Sequence, residues 1–445
     1  MAVPIRIKTP PERIHDHLQT GVTRTIEVDA GALERELQSI IRGEVRFGAG
    51  DRALYSSDAS NYRQVPIGVV IPLDKEDVIQ TVAACRRYGA PILARGGGAG
   101  IPGQSVNVAV VIDFSKYLHN VIALDPQRRL ARVEPGCILD TLRDAAEKHH
   151  LTFGPDPATH NRNTLGGMVG NNSCGIHSVT AGRTSDNVEE LEVLTYDRVR
   201  MRVGRTNDEE LARIIGGGGR RGEIYAQLKA FRDRYADLIR ARFPRLPRRV
   251  SGYNLPELLP ENGFNLARAL VGSECTLVTV LEITARLAPS PPARSLLVLG
   301  YPDIFTAADH VPEVLTHNPI GLEGLDDEFI EDMKKKGMHP KNLELMPAGG
   351  AWLLAEFGGT SREESDGKAR KAMDELKSEG QTTAMKLFDD PKQERILWHL
   401  REEGLGATAR IPGEPDNHEG WEDSAVPPDQ LGAYLREFKK LLDKY

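Results

Sequence analysis

Residues 94–104 read ARGGGAGIPGQ, which sets Gly96, Gly97, Gly98, Gly100 and Gly103 within eight positions beside Arg95. Gly98, Gly100 and Gly103 have the G-x-G-x-x-G spacing of a nicotinamide dinucleotide loop. Such a loop must open into a helix whose N-terminus meets the pyrophosphate. Here Pro102 stands where that helix would begin, and VNVAVVIDFS (106–115) is β-branched and strand-like. Asp113 comes too early for the ribose-binding acid, which is expected about 20 residues on. The nicotinamide reading fails on context. Glycine permits positive φ and close backbone approach, so successive N–H groups can converge on an anion, with Arg95 adding fixed positive charge. The plain alternative for the stretch is a strand-to-strand turn.

Upstream of the loop, VVIP (69–72) is a short apolar strand. DKEDVIQTVAACRRYG (74–89) has helical apolar spacing, acidic residues in its first turn and Gly89 at its end. PILARGG runs into the loop as a second strand, and the first helix, ALERELQSIIRG (32–43), is closed by Gly43. Downstream, RLARVEPG (129–136) reads as a strand and ILDTLRDAAEKHH (138–150) as a helix, where His149 and His150 suit the dipole at its end. NVEELEVLTY and RVRMRVG form a strand pair, GGGGRRGE (216–223) a flexible surface turn, and EIYAQLKAFRDRYADLIRARF (223–243) a helix.

Between these elements lies a second loop, PDPATHNRNTLGGMVGNNSCG (155–175). It offers rigid Pro155 and Pro157, the Thr164 hydroxyl, the Gly166-Gly167 pair and the amides of Asn171 and Asn172. It cannot pack as a core strand. Two such loops suit a large dinucleotide gripped mostly by backbone groups. LVTVLEITARLAP (277–289) then reads as a strand, and Pro289, Pro291 and Pro292 mark a domain boundary. Beyond it, SLLVLGY, AADHVPEVL, AWLLAEFGG and REESDGKARKAMDELKSEG alternate strand and helix, as in an α+β domain with an antiparallel sheet.

Bulk properties narrow the class. The 445 residues allow two or three domains, and 40% hydrophobic with 27% charged residues is ordinary for a globular protein. Fifty-seven basic against 64 acidic residues, a net charge of −7, argue against a nucleic-acid binder. No apolar run approaches a membrane span, and the polar start lacks a signal-peptide core, so a cytoplasmic enzyme is expected. Cys85, Cys137, Cys174 and Cys275 form no C-x-x-C pair, which excludes a cysteine-ligated iron–sulfur cluster or zinc ribbon and fits a reducing compartment.

Three motifs in order, ARGGGAGIPGQ, PDPATHNRNTLGGMVGNNSCG and GSECTLVTVLEITARLAP (272–289), resemble the PCMH-type FAD-binding domain of the vanillyl-alcohol-oxidase kind. The nearest branch holds the bacterial D-lactate, glycolate and D-2-hydroxyglutarate dehydrogenases, and the resemblance covers roughly residues 30–445. It implies an α+β chain: an N-terminal extension and first helix (1–60), a two-subdomain FAD-binding domain (61–289) and a ferredoxin-like α+β substrate domain (290–445). It also implies FAD chemistry on a D-2-hydroxy acid, with electrons passed to an iron–sulfur domain or protein. Arg95, Gly96, Gly97, Gly98, Ala99, Gly100, Gly103 and Gln104 would line the pyrophosphate and ribityl chain on one side. Pro155, Asp156, Thr164, Gly166, Gly167, Asn171, Asn172 and Gly175 would do so on the other. Ala99 holds the place of the histidine that attaches FAD covalently in some relatives, so the flavin is expected to be non-covalent.

Several positions depart from the pattern. Ala99-Gly100 replaces Thr-Ser, and Cys275 and Val278 replace glycines of the third motif. Arg401, in WHLREEGLGA, matches an arginine that pairs with the substrate carboxylate; a solvated helix arginine is the alternative. Trp421 stands where some relatives place a substrate lysine, and Asp423 suits the N-terminal cap of the last helix. Cys174 reads as a small core residue, Trp352 and Trp398 as core, and His160 and His177 flank the second loop within reach of a flavin. After the amphipathic DQLGAYLREFKKLLDKY the family continues with a Gly- and His-rich segment. The resemblance therefore implies an incomplete substrate domain: a fragment, a truncated gene product, or one piece of a split system, without independent catalysis as the second reading.

Overall fold

Three sheets of four or five strands organise the chain in a computed structural model, which describes residues 5–7, 26–338, 344–378, 380, 384–414 and 424–444; two further sheets have two strands each. Trp421 and Asp423 lie outside the described residues. The first sheet has the order β1-β2-β4-β3, from β1 (Glu44–Arg46), β2 (Gly68–Ile71), β3 (Ile92–Arg95) and β4 (Val110–Asp113). β2 and β3 run parallel to β4, and β1 is antiparallel to β2. Continuous burial of β2 and β4 follows from helices on the sheet: α1 (Ala30–Ile40) and α2 (Lys75–Arg87). Leu33 and Leu37 of α1 share one core with Val70, Ala84, Cys85 and Val110, so the first helix packs as part of this unit. Asp74 caps α2 by accepting from Glu76 and Asp77 N–H. α1 ends at Ile40, before Gly43, because the Asp77 carboxylate takes the Arg42 and Gly43 N–H groups at 3.0 and 2.8 Å.

A five-stranded antiparallel sheet forms the second unit, in the order β8-β7-β9-β6-β5. Its strands are β5 (Val121–Asp125), β6 (Leu130–Val133), β7 (Val188–Leu194), β8 (Arg200–Val203) and β9 (Thr279–Arg286). One face carries the largest core, where α3 (Leu139–Glu147) and α4 (Leu165–Asn171) pack with Phe153 and Phe264. The opposite face carries charge: Glu282 accepts from Arg132 at 2.8 Å and from Lys75 of α2 at 2.5 Å, which ties the two units together. The expected glycine turn at 216–223 is instead largely helical. One helix runs from Asp208 to Gly216, and α5 (Gly219–Arg242) begins just after Gly218; Gly218 and Gly219, at φ +66° and +64°, reverse the chain between them.

The third unit is a four-stranded antiparallel sheet, order β11-β12-β10-β13. It comprises β10 (Ala293–Tyr301), β11 (Gly321–Asp326), β12 (Ala351–Gly359) and β13 (Ala384–Phe388). With helices at 304–316 and α6 (Arg362–Ser378), the succession is the split βαβ arrangement of a ferredoxin-like domain. Pro312 divides the expected 307–315 helix into Ile304–Asp309 and Val311–Thr316, since proline fits at a helix start and breaks an interior. α7 (Pro391–Glu402) follows β13, and α8 (Leu431–Lys444) closes the described chain. Its stripe is not buried: Phe438, Leu441 and Leu442 are exposed. Among the described residues, no helix is long and apolar enough to cross a membrane.

Candidate flavin site

The first and second units meet at a cleft holding about 1060 Å³ of empty space, its open mouth included. The first loop supplies Arg95, Gly96, Gly97, Gly98, Ala99, Gly100, Gln104 and Ser105. The second supplies Thr159, Asn163, Thr164, Gly166, Gly167, Met168, Val169, Gly170, Asn171 and Ser173. A third wall comes from Leu270, Ser273, Glu274, Cys275, Val278 and Val280, the segment entering β9. The three motifs, far apart in sequence, thus converge because parallel β3 ends where α4 begins.

Glycine is required where the two loops touch. A Cβ on Gly97 would lie 2.2 Å from the Arg162 carbonyl oxygen, and one on Gly96 would meet Thr164 Oγ1 at 2.0 Å. Gly98 adopts φ +62°, a left-handed conformation that side chains disfavour. Thr164 caps α4, its Oγ1 accepting from Gly167 N–H at 3.2 Å. Arg95 lines the cleft, but its guanidinium holds the loop rather than standing free. It donates to the Ser105 and Ser57 carbonyls at 3.0 and 2.9 Å and lies over the Tyr55 ring.

Five predicted residues sit behind the lining. Gly103, at φ +82°, turns the first loop against Tyr62. Asn172 is buried, left-handed at φ +58°, and accepts from Ser185 N–H at 2.9 Å, so it closes α4. Pro155 is buried. Gly175 is fixed by the Asp156 backbone, 2.2 Å from where a Cβ would be. Asp156 accepts from the His177 ring at 2.5 Å. These residues shape the second loop from behind, because a Gly/Asn/Pro-rich segment needs internal fastening as well as a ligand surface. Asn163, Ser173, Glu274 and Val280 also line the cleft but were not among the expected site residues; each lies inside one of the three motifs, and that was their only sequence signal.

The third motif explains one departure. Cys275, where a glycine was expected, has φ +61°, and Glu274 has φ +47°, so the backbone keeps a glycine-like turn despite the side chains. Cys174 is partly exposed and outside the lining, with burial pushing its thiol up. Trp352 is core, and Trp398, partly buried, packs against the same core while donating its indole N–H to Glu356 at 3.0 Å.

Arg401 does not line the cleft. From α7 its Nε donates to Glu323 Oε2 of β11 at 2.7 Å, while Nη1 is buried without a hydrogen-bond partner. The adjacent Glu402 meets His160 Nε2 at 3.0 Å, so α7 touches the second loop directly. His177 lies between Asp156 and Glu356 of β12. Burial lowers its affinity for a proton, but the two carboxylates outweigh this and hold its pKa up at about 9.

Comparison with known proteins agrees with this architecture. Residues 66–202 match the FAD binding domain family and residues 290–445 the FAD linked oxidase C-terminal domain family. D-2-hydroxyglutarate dehydrogenase of Pseudomonas putida is 30% identical over 93% of this chain and 42% of its own length. The Escherichia coli glycolate oxidase subunit GlcD is 24% identical over 87% of this chain and 66% of its own. The chain therefore spans about two fifths of the D-2-hydroxyglutarate dehydrogenases it matches. Among solved structures, p-cresol methylhydroxylase superposes with a TM-score of 0.57 over 85% of this chain and 72% of that one, at 15% identity. An alkyldihydroxyacetonephosphate synthase gives 0.58 over 88% and 66%, at 16% identity. With an FAD binding domain, an FAD linked oxidase C-terminal domain and the fold of p-cresol methylhydroxylase, the chain belongs to the FAD-linked oxidoreductases, and the relatives it is similar to are D-2-hydroxyglutarate dehydrogenase, the glycolate oxidase subunit GlcD and D-lactate dehydrogenase.

Proposed function

We propose that this chain binds one FAD non-covalently between its glycine loops and takes part in oxidising a D-2-hydroxy acid to the 2-oxo acid. The observation that carries the reading is a pair of orphaned acceptors. Gln104 Oε1 and Asn163 Oδ1 are buried without hydrogen-bond partners, and both residues line the cleft. An unpaired buried carbonyl costs about 1–3 kcal/mol, so donors on a ligand such as FAD would fit there. The backbone of Gly96 to Gly100 and of Gly166, Gly167 and Gly170 lets a pyrophosphate approach without side-chain obstruction.

The cofactor, when bound, supplies the two-electron acceptor for a hydride. The chain's own part is to hold and shield it: Thr164 and Asn163 on one wall, Cys275 and Val278 on another, with apolar Met168, Val169 and Leu270 excluding water. Ala99 stands in the cleft lining where an attaching histidine would stand, which supports a non-covalent hold. Arg401 would bind the substrate carboxylate, its free Nη1 being the group available for a second hydrogen bond beside Glu323. With no C-x-x-C pair in the sequence, we place the electron acceptor, an iron–sulfur domain or protein, outside the residues described here. The reading is of a cytoplasmic enzyme.

Two observations favour a second reading, a flavin-binding subunit without its own turnover: the similar glycolate oxidase relative, GlcD, is a subunit, and the D-2-hydroxyglutarate relatives are more than twice as long. Anaerobic mixing of the flavin-loaded chain with D-lactate, glycolate or D-2-hydroxyglutarate separates the two. Bleaching of the flavin band by any of them supports turnover by this chain; FAD uptake without bleaching supports the subunit.

A further inference from the structure

Two histidines join the flavin-binding units to the ferredoxin-like unit in the same way. His160 Nδ1 faces Asp140 Oδ2 of α3 at 2.7 Å, and its Nε2 faces Glu402 Oε1 of α7 at 3.0 Å. His177 Nδ1 faces Asp156 Oδ2 at 2.5 Å, and its Nε2 faces Glu356 Oε2 of β12 at 2.8 Å. In both cases one carboxylate comes from the flavin side and the other from across the boundary at Pro289–Pro292. A neutral imidazole has one donor and one acceptor nitrogen, so only an imidazolium can donate to both carboxylates. Neither ring keeps a lone pair for a substrate proton, and neither lines the cleft.

Both bridges converge on one face of α7. Glu356 also accepts from the Trp398 indole at 3.0 Å, and Trp398, Arg401 and Glu402 are spaced i, i+3, i+4. On the other side, Thr159 and Asn163, which line the cleft, flank His160. We infer that His160 and His177 are positioning residues: as imidazolium bridges between carboxylates of the two domains, they hold the α7 face bearing Arg401 against the second flavin loop. The role assigned to Arg401 rests on the proposed function; the bridging itself does not.

The charges facing each bridge define its pH behaviour. His160 has Asp140 and Glu402, with Arg143 3.7 Å from Asp140 and His399 3.1 Å from Glu402. His177 has Asp156 and Glu356, with Arg294 3.5 Å from Glu356 and Arg143 acting on Asp156. The histidine pKa values are raised, so their contribution is complete below the unfolded value of about 6.5 and is lost as pH rises through about 9 for His177. Asp156, Glu356 and Glu402 are depressed, so their contribution is lost only in acid.

The test uses the full chain loaded with FAD, with oxalate as a non-oxidisable probe followed by its perturbation of the flavin spectrum. His160→Gln with His177→Gln should leave the FAD dissociation constant within about twofold of wild type and raise that for oxalate about tenfold. The wild-type oxalate constant should climb as pH passes about 9, and the double variant should lose that inflection. An unchanged oxalate constant and pH profile in the double variant would overturn the inference. Should the double variant not fold, Glu402→Gln, which keeps the shape and removes one charge, should shift the oxalate constant in the same direction, and no shift would count against the bridge. If the wild type takes up no FAD, the proposed function fails instead. Hydrogen exchange over 391–403 then decides the bridging: faster exchange as pH passes about 9, beyond the intrinsic pH dependence, in wild type alone supports it, and identical profiles overturn it.

Discussion

Gly97→Ala probes the contact on which the cleft depends. The added methyl would sit 2.2 Å from the Arg162 carbonyl oxygen, with Asn163 Cα at 3.7 Å. Ordinary carbon–oxygen contact is about 3.3 Å, so the two loops must separate by roughly 1 Å, and a backbone carbonyl cannot swing aside as a side chain can. Overpacking of this kind costs about 1–3 kcal/mol. If that strain falls on the FAD-binding geometry, the dissociation constant rises about 5- to 150-fold, at 1.4 kcal/mol per tenfold. Gly97 has no positive φ, so conformational strain does not confuse the result. Gly100→Ala is the comparison, because there the obstruction is the movable Gln104 side chain, 2.5 Å away, and the loss should be smaller. The assay is titration of apo-protein with FAD by quenching of flavin fluorescence, with thermal unfolding of the apo-protein alongside. A folded Gly97→Ala chain binding FAD as tightly as wild type would refute the reasoning that the two loops form one rigid cradle.

Other expectations follow from single residues. Thr164→Ala removes the cap of α4 and should cost about 1 kcal/mol in thermal unfolding while weakening FAD binding, since the same helix lines the cleft. Asp77 is buried and accepts from Arg42, Gly43 and Leu73 N–H at 2.8–3.0 Å; Asp77→Ala strands three donors and should lower stability by about 3 kcal/mol or more in urea unfolding, where a loss below about 1 kcal/mol would contradict this. Gly367 lies inside α6 with open space around a Cβ, so Gly367→Ala should raise stability by up to about 1 kcal/mol in the same unfolding. Burial pushes the thiols of Cys85 and Cys137 up to about 12, so neither should react with iodoacetamide at neutral pH until the chain is denatured, as peptide mapping would show.

How far the sequence could be read depended on the kind of signal. The strands at 68–71 and 110–113 and the helix at 75–87 were legible because buried parallel strands are β-branched runs and α2 carries its own cap and acidic first turn, while 92–95, only partly buried, was read from its place leading into the glycine loop. Pro102 inside the glycine loop, followed by a strand, was enough to set nicotinamide aside, and the flavin reading came from the second loop and the resemblance of three motifs in order. The glycine run at 216–223 misled because Gly218 and Gly219 turn the chain while Gly222 is buried within α5, and composition does not separate those uses. β11 and β13 went unseen; β11 is glycine-bearing and only partly buried, and its pairing with β12 is a tertiary effect. At the site, Gly96, Gly97, Gly98 and Gly100 line the cleft, whereas Gly103, Pro155, Asp156, Asn172 and Gly175 support the loops from behind. The histidine bridges were beyond sequence reading, since Glu356 and Glu402 lie 179 and 242 residues from their partners.

The most direct test of the flavin assignment is to titrate the purified chain with FAD and then precipitate it with acid. The cradle of two glycine loops with Ala99 in place of an attaching histidine predicts uptake of one FAD per chain, with all the yellow colour released to the supernatant. A folded chain that stays colourless at saturating FAD would contradict the site itself, and colour retained on the precipitate would contradict its non-covalent hold.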